Sequence, residues 1–202
     1  MSVALFSTAY FPPLAYLSAM MRYREVQIEV KETFPKQTYR NRMLIMTAEG
    51  VRTLSVPVVR NNHSRTEEVR IDYKERWNVV HFRTLKAAYA ASPYWLHYQE
   101  DIEQLLMERR ERLVDLNGAV LAWLLRSLKI DCRVSSTEDF HPIAGEATDY
   151  RYLFSPKEPS PEHTFPPYYQ VFADRQPFAA NLSALDLLMN LGPESKDYLE
   201  TI

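Results

Sequence analysis

Glycine is nearly absent from this chain. Gly50, Gly118, Gly145 and Gly192 are the only four in 202 residues, and the nearest two, Gly118 and Gly145, are 27 positions apart. Average usage of about 7% would give roughly 14. A dinucleotide fingerprint or a Walker loop needs two or three glycines within ~6–8 residues, because only a residue without Cβ lets backbone N–H groups close on a pyrophosphate. Those cradles are excluded. An anion bound by this protein must be held mainly by side chains.

The remaining pattern is that of an α/β chain. Val3 to Phe6 is a short apolar run opening onto a loop, and Leu14, Leu17, Ser18 and Met21 recur at helical spacing after Pro13. Val26 to Val30 alternates with Gln and Glu as a half-buried strand does. Met43–Met46 and Val51–Val58 flank Ala48-Glu49-Gly50 as a hairpin. Residues 60 to 76 read as an exposed loop carrying a short strand, Val69 to Ile71. Three helical stripes follow: Trp77, His81, Leu85 and Ala88; then Tyr94 to Met107; then Leu113, Leu116, Val120, Leu124 and Leu128. Lys129 to Val134 is expected to return as a strand, as is Tyr168 to Phe172. Leu182, Leu185, Leu188 and Met189 form a final helix stopped by Gly192-Pro193. Five of the 13 prolines fall within residues 155–167, which reads as a stiff connector. The expected fold is one α/β domain over residues 1–202, a mixed parallel and antiparallel sheet packed with helices, with the last helix returning to the body.

Charge and cysteine usage narrow the partners. Lys plus Arg (24) nearly balances Asp plus Glu (26), so no global field draws the chain to nucleic acid or an anionic membrane. The longest uninterrupted hydrophobic run is Ala119 to Leu125, far short of the ~20 residues that cross a bilayer. Membrane insertion is not expected. Cys132 is the single cysteine, which leaves no intrachain disulfide and no multi-cysteine metal site. A cytoplasmic protein is expected, with no metal and no cofactor. His97 and Asp101 have the spacing of two helical metal ligands, but that pair is common by chance.

One block carries most of the chemistry. Lys36, Arg40 and Arg42 place three cations in seven residues, with Gln37 and Asn41 between them and no acid. Such a set suits an oxyanion, phosphate or carboxylate, and it equally suits a solvated loop paired with nearby acids. His81 lies on the inward stripe of its helix, where a histidine is more often a hydrogen-bonded core residue than a catalyst. Its case as a general base improves only if the cationic block faces it. Ser7, Thr8 and Tyr10 follow the first strand, where open α/β sheets usually place ligands, though their hydroxyls could equally satisfy loop backbone.

The order of the blocks adds a resemblance. Tyr10-Phe11-Pro12-Pro13, Phe34-Pro35 running into Lys36–Arg42, Trp77 with His81, Ser92-Pro93-Tyr94, Leu116-Asn117, Tyr169-Gln170-Val171-Phe172 and Asn181 to Asp186 occur in sequence. From about residue 3 to residue 199 the chain resembles the WbqC-like family of bacterial proteins, as a short member of the Bacteroidetes type. The resemblance implies a link to O-antigen and surface-polysaccharide genes, and a transferase that modifies a phosphorylated or nucleotide-activated amino sugar with an acyl or aminoacyl group. Carried over by position, His81 is the catalytic candidate. The substrate-binding candidates are Tyr10, Lys36, Tyr39, Arg40, Asn41, Arg42, Asn117, Tyr169 and Gln170, with Gln37 added from the block itself; Asp186 also matches. The implied partner is a phosphorylated or carboxylated small molecule. The alternative is a non-catalytic binding or scaffold protein of the cell-envelope pathway, with an acidic protein partner on the same block.

Overall fold

The computed structural model describes residues 3–61, 63–142, 145–157 and 164–202. In chain order, β1 (Ala4–Ser7), α1 (Leu14–Met21) and β2 (Glu25–Glu29) form the first unit, followed by the hairpin of β3 (Arg42–Thr47) and β4 (Gly50–Ser55). A two-stranded ribbon pairs β5 (Val58–Val59) with β6 (Arg70–Ile71). Three helices come next, α2 (Trp77–Tyr89), α3 (Trp95–Met107) and α4 (Leu113–Ser127). Then come β7 (Arg133–Ser136), β8 (Thr148–Asp149), α5 (Ala184–Leu191) and α6 (Ser195–Glu200).

The central sheet has four strands in the order β7-β2-β1-β8, every neighbouring pair parallel. Among the named strands of the described residues, antiparallel pairing is confined to the hairpin and the ribbon, so the fold is mixed α/β with the two kinds of pairing in separate sheets. β1 is buried along its length because strands flank it on both sides. β2 alternates as its sequence demands, Glu25 and Gln27 outward, Val26 and Ile28 inward. Register places Ala4, Val26 and Val134 in one row, and Phe6, Ile28 and Ser136 in the next, on a single face of the sheet.

The helices carry the stripes expected of them. α2 buries Trp77, His81, Leu85 and Ala88, and α4 buries Leu113, Leu116, Val120 and Leu124. The C-terminal helix does return to the body: Leu185, Leu187, Leu188 and Met189 are fully buried. At roughly 1.5–3 kcal/mol for each such side chain, α5 is a core element and not an appendage. Main-chain bonds stitch it beside the first loop, Leu14 N–H to the Leu182 carbonyl at 3.1 Å and Ala184 N–H to the Pro12 carbonyl at 2.8 Å. Asp186, buried on α5, accepts from Tyr89 Oη on α2 at 2.9 Å, from Tyr168 Oη at 2.7 Å and from Gln170 Nε2 at 3.1 Å.

Several segments differ from expectation, each for a local reason. Tyr168 to Phe172 is not a strand: residues 164–170 are irregular and 171–175 form turns. Its polar groups turn to their own C-terminal neighbours, Gln170 exchanging bonds with Ala179 N–H and carbonyl at 3.0 Å each. The strand expected at Lys129–Val134 begins four residues later, because Lys129 takes a positive φ of 54° and Ile130 N–H bonds back to Leu125. Val51–Val58 is not one strand but two, split at Val56-Pro57. The 60–76 loop is only partly exposed: a 3-10 turn at Thr66–Glu68 buries Thr66 and the following Val69 completely. Of the proline connector, residues 158–163 lie outside the described residues.

Candidate functional site

The cationic block does not form one surface. Lys36 and Gln37 are exposed, Gln37 at a positive φ of 61°, whereas Tyr39 and Arg40 are buried. Arg40 turns inward onto Glu32, with Nη2 at 2.6 Å and Nε at 2.7 Å from Oε1, and Nη2 also donates to the Arg151 carbonyl at 3.3 Å. Burial raises the Glu32 pKa, and the guanidinium opposes that rise. Asn41 is committed to the backbone, its Nδ2 donating to the Val56 carbonyl at 2.9 Å. Arg42 is half-buried at the start of β3, and its Nε has no hydrogen-bond partner.

His81 sits beside this loop, inside the core. Its Nδ1 is 3.0 Å from Tyr10 Oη, and the Tyr10 N–H donates to the Tyr39 carbonyl at 2.8 Å. Burial lowers the His81 pKa to about 4; the nearby Arg52 lowers it further, and a hydrogen bond to the Ser55 carbonyl works the other way. The imidazole is therefore neutral near pH 7. Tyr169 is exposed, and Gln170 is buried against Asp186. The candidates thus fall into three groups: Tyr10 with His81 and the Tyr39 backbone, Arg40 with Asn117, and Gln170 with Asp186. Lys36, Gln37 and Tyr169 stand apart on the surface.

Asn117 of the second group lines a cleft. It occupies about 500 Å³ between α4 and the sheet, running along β7 from Cys132 to Ser136 and reaching the carboxyl ends of β1 and β2, where Thr8 and Val30 follow the strands. Open parallel sheets place their ligands at this end. Asn117, on α4, lines it. Its Nδ2 bridges Thr8 Oγ1 at 3.0 Å and the Arg40 carbonyl at 2.8 Å, while its buried Oδ1 has no partner. A buried amide oxygen without a donor costs about 1–3 kcal/mol, so the arrangement is one that a ligand hydroxyl or N–H would relieve. Gly118, next on α4, is exposed in the same wall, and a Cβ built there would meet nothing within 4 Å. None of the sixteen lining residues is Asp, Glu, Lys, Arg or His; Cys132 is the only titratable thiol among them, with its pKa raised chiefly by burial. Sequence reasoning reached Asn117 through the resemblance and noted Thr8 as a strand-end hydroxyl. Ser135, Ser136 and Gly118 went unnoticed, although a helix-interior glycine in so glycine-poor a chain was a legible signal.

Comparison with known proteins fits this architecture. The profile of the WbqC-like protein family matches residues 8–155, about three quarters of the chain, spanning Thr8, the cationic block, His81 and Asn117. The chain belongs to that family. The match stops before Tyr169, Gln170 and Asp186. A curated relative, the uncharacterized protein Rv1507c of Mycobacterium tuberculosis (strain ATCC 25618 / H37Rv), is 26% identical over 217 aligned residues, covering 94% of this chain and 91% of its own length. No solved structure matches. Among the described residues no helix is long and apolar enough to cross a membrane, and no cluster of three or more His, Cys, Asp or Glu is arranged to hold a metal ion. Asp101, one half of the helical His97–Asp101 pair, accepts the Trp123 indole N–H at 2.9 Å.

Proposed function

We propose that this WbqC-like protein is a transferase of surface-polysaccharide biosynthesis that holds the sugar unit of a phosphorylated or nucleotide-activated substrate in the α4 cleft. The observation that carries the reading is the unpartnered, buried Oδ1 of Asn117 in a cleft at the carboxyl ends of parallel strands. Sugars are dense in hydroxyl donors, and Thr8 and Ser136 add donors and acceptors nearby. Phosphate charge stays outside the uncharged walls. Arg40 serves by fixing Asn117 through its carbonyl, and His81 by fixing Tyr10 and, through it, the Tyr39 backbone.

A non-catalytic binding role in the same pathway is favoured by one observation: the cleft walls hold no carboxylate, imidazole or amine to move a proton. Cys132 provides the test for binding. Alkylation by N-ethylmaleimide at pH 8.5 is followed by mass spectrometry with and without sugars, sugar phosphates and nucleotide sugars. Protection of Cys132 in the wild type, lost in Asn117→Ala with its circular dichroism unchanged, supports the site. If no compound of these three classes slows labelling, the reading fails. Transfer of an acyl or aminoacyl group to a protecting sugar then separates the transferase from the binding protein.

A further inference from the structure

Gly118 has no structural reason to be glycine. It sits inside α4, where glycine weakens a helix relative to alanine, and it does not take a left-handed conformation. Elsewhere the chain uses glycine where it must: Gly192 has a φ of 53°, and a Cβ there would collide with the Tyr94 ring. Over Gly118 there is only open cleft, so the missing side chain leaves space for something that is not part of this protein.

The walls limit what can enter. Thr8, Asn117 and Ser136 supply the cleft's polar groups; the rest is largely apolar, with Val114, Leu121 and Leu125 from α4, Ile28 from β2, Val30 just after it and Val134 from β7. A phosphate in this cleft would lose its water and meet no cation. A fully hydroxylated hexose would press hydroxyls against the apolar wall and leave them unpaired.

Resting on the sugar reading above, we infer that the cleft selects an uncharged monosaccharide ring with a methyl-bearing apolar edge, its donor group on Asn117 and its ring seated over Gly118. Two sugar types share that chemistry, 6-deoxyhexoses and N-acetylated amino sugars.

Titration calorimetry with fucose, N-acetylglucosamine, glucose and glucose 1-phosphate tests it. At least one methyl-bearing sugar should bind about tenfold more tightly than glucose, the combined effect of a buried methyl and one fewer stranded hydroxyl. Whichever of the two binds better names the edge. Gly118→Ala should melt at or above the wild-type temperature, and Gly118→Leu, equally folded, should lose sugar binding at least tenfold. Equal or tighter binding of glucose, or unchanged binding by Gly118→Leu, overturns the inference and leaves the sugar reading standing. Absence of binding by all four sugars, together with no protection of Cys132, removes both.

Discussion

Arg40 and Glu32 face each other at 2.6 Å with side chains only 3% and 2% exposed, so the most prominent cation of the sequence block is an internal counter-ion. Removing one member strands the other charge in the core. Arg40→Met should destabilise the protein by about 3–5 kcal/mol, and the double variant Arg40→Met, Glu32→Leu should lose much less. Urea denaturation of the two variants checks this. Because the same arginine's carbonyl holds Asn117, any loss of ligand binding in Arg40→Met must be judged against its loss of fold.

Burial of His81 beside Tyr10 gives stability a pH dependence. The unfolded chain protonates this histidine near its ordinary 6.5, whereas the folded chain resists until about pH 4. Protons therefore favour the unfolded state as pH falls between those values, and the contribution is fully present only above about 6.5. The loss down to pH 4 should total about 3 kcal/mol. His81→Gln, which keeps a donor and an acceptor, should remove that part of the slope in denaturation curves collected from pH 7 to pH 4.

Asp186 acts with the opposite sign. Burial raises its pKa above the usual 3.8, although Tyr168, Tyr89 and Gln170 all donate to it and pull it back. Its ionisation costs the folded state, so its share of stability is present below pH 3.8 and declines as pH rises through the folded value. Asp186→Asn, which like the neutral acid turns one of the two acceptors into a donor, should melt close to the wild type at low pH and gain on it as pH rises, measured by melting temperature from pH 3.5 to 6.

Gly192 ends α5 at a φ of 53°, with the Tyr94 ring packed where a Cβ would stand. Gly192→Ala combines a left-handed alanine, about 1–2 kcal/mol, with a clash. A fall in melting temperature of at least about 4 °C is expected from thermal denaturation.

What the sequence revealed depends on how local the cause is. The Val26 alternation, the hairpin at Gly50 and the stripes of α2 and α4 are periodicities written within a few residues, and each appears where it was expected. β8 is two polar residues, Thr148-Asp149, made a strand only by pairing with distant Ala4 and Leu5. Tyr168 to Phe172 has strand-forming residues but no strand beside it, and its side chains are claimed by Asp186 and Ala179. The cleft was harder still to foresee, since Thr8, Asn117 and Ser136 meet through the parallel sheet and not through any motif. Arg40 could be read as a cation; that it points at Glu32, eight positions away, could not, because the intervening loop decides its direction.

The strand order β7-β2-β1-β8 also fixes when the sheet can exist. Thr47 and Gly50 close the hairpin across a two-residue turn, an event of microseconds, whereas Ala4 pairs with Thr148 across 144 positions. Such long-range pairing forms slowly, after more local structure. During synthesis at about 5–20 residues per second, β1 leaves the ribosome seconds before its outer neighbour exists. For that interval the edge of its apolar strand is open to any other chain that can pair with it.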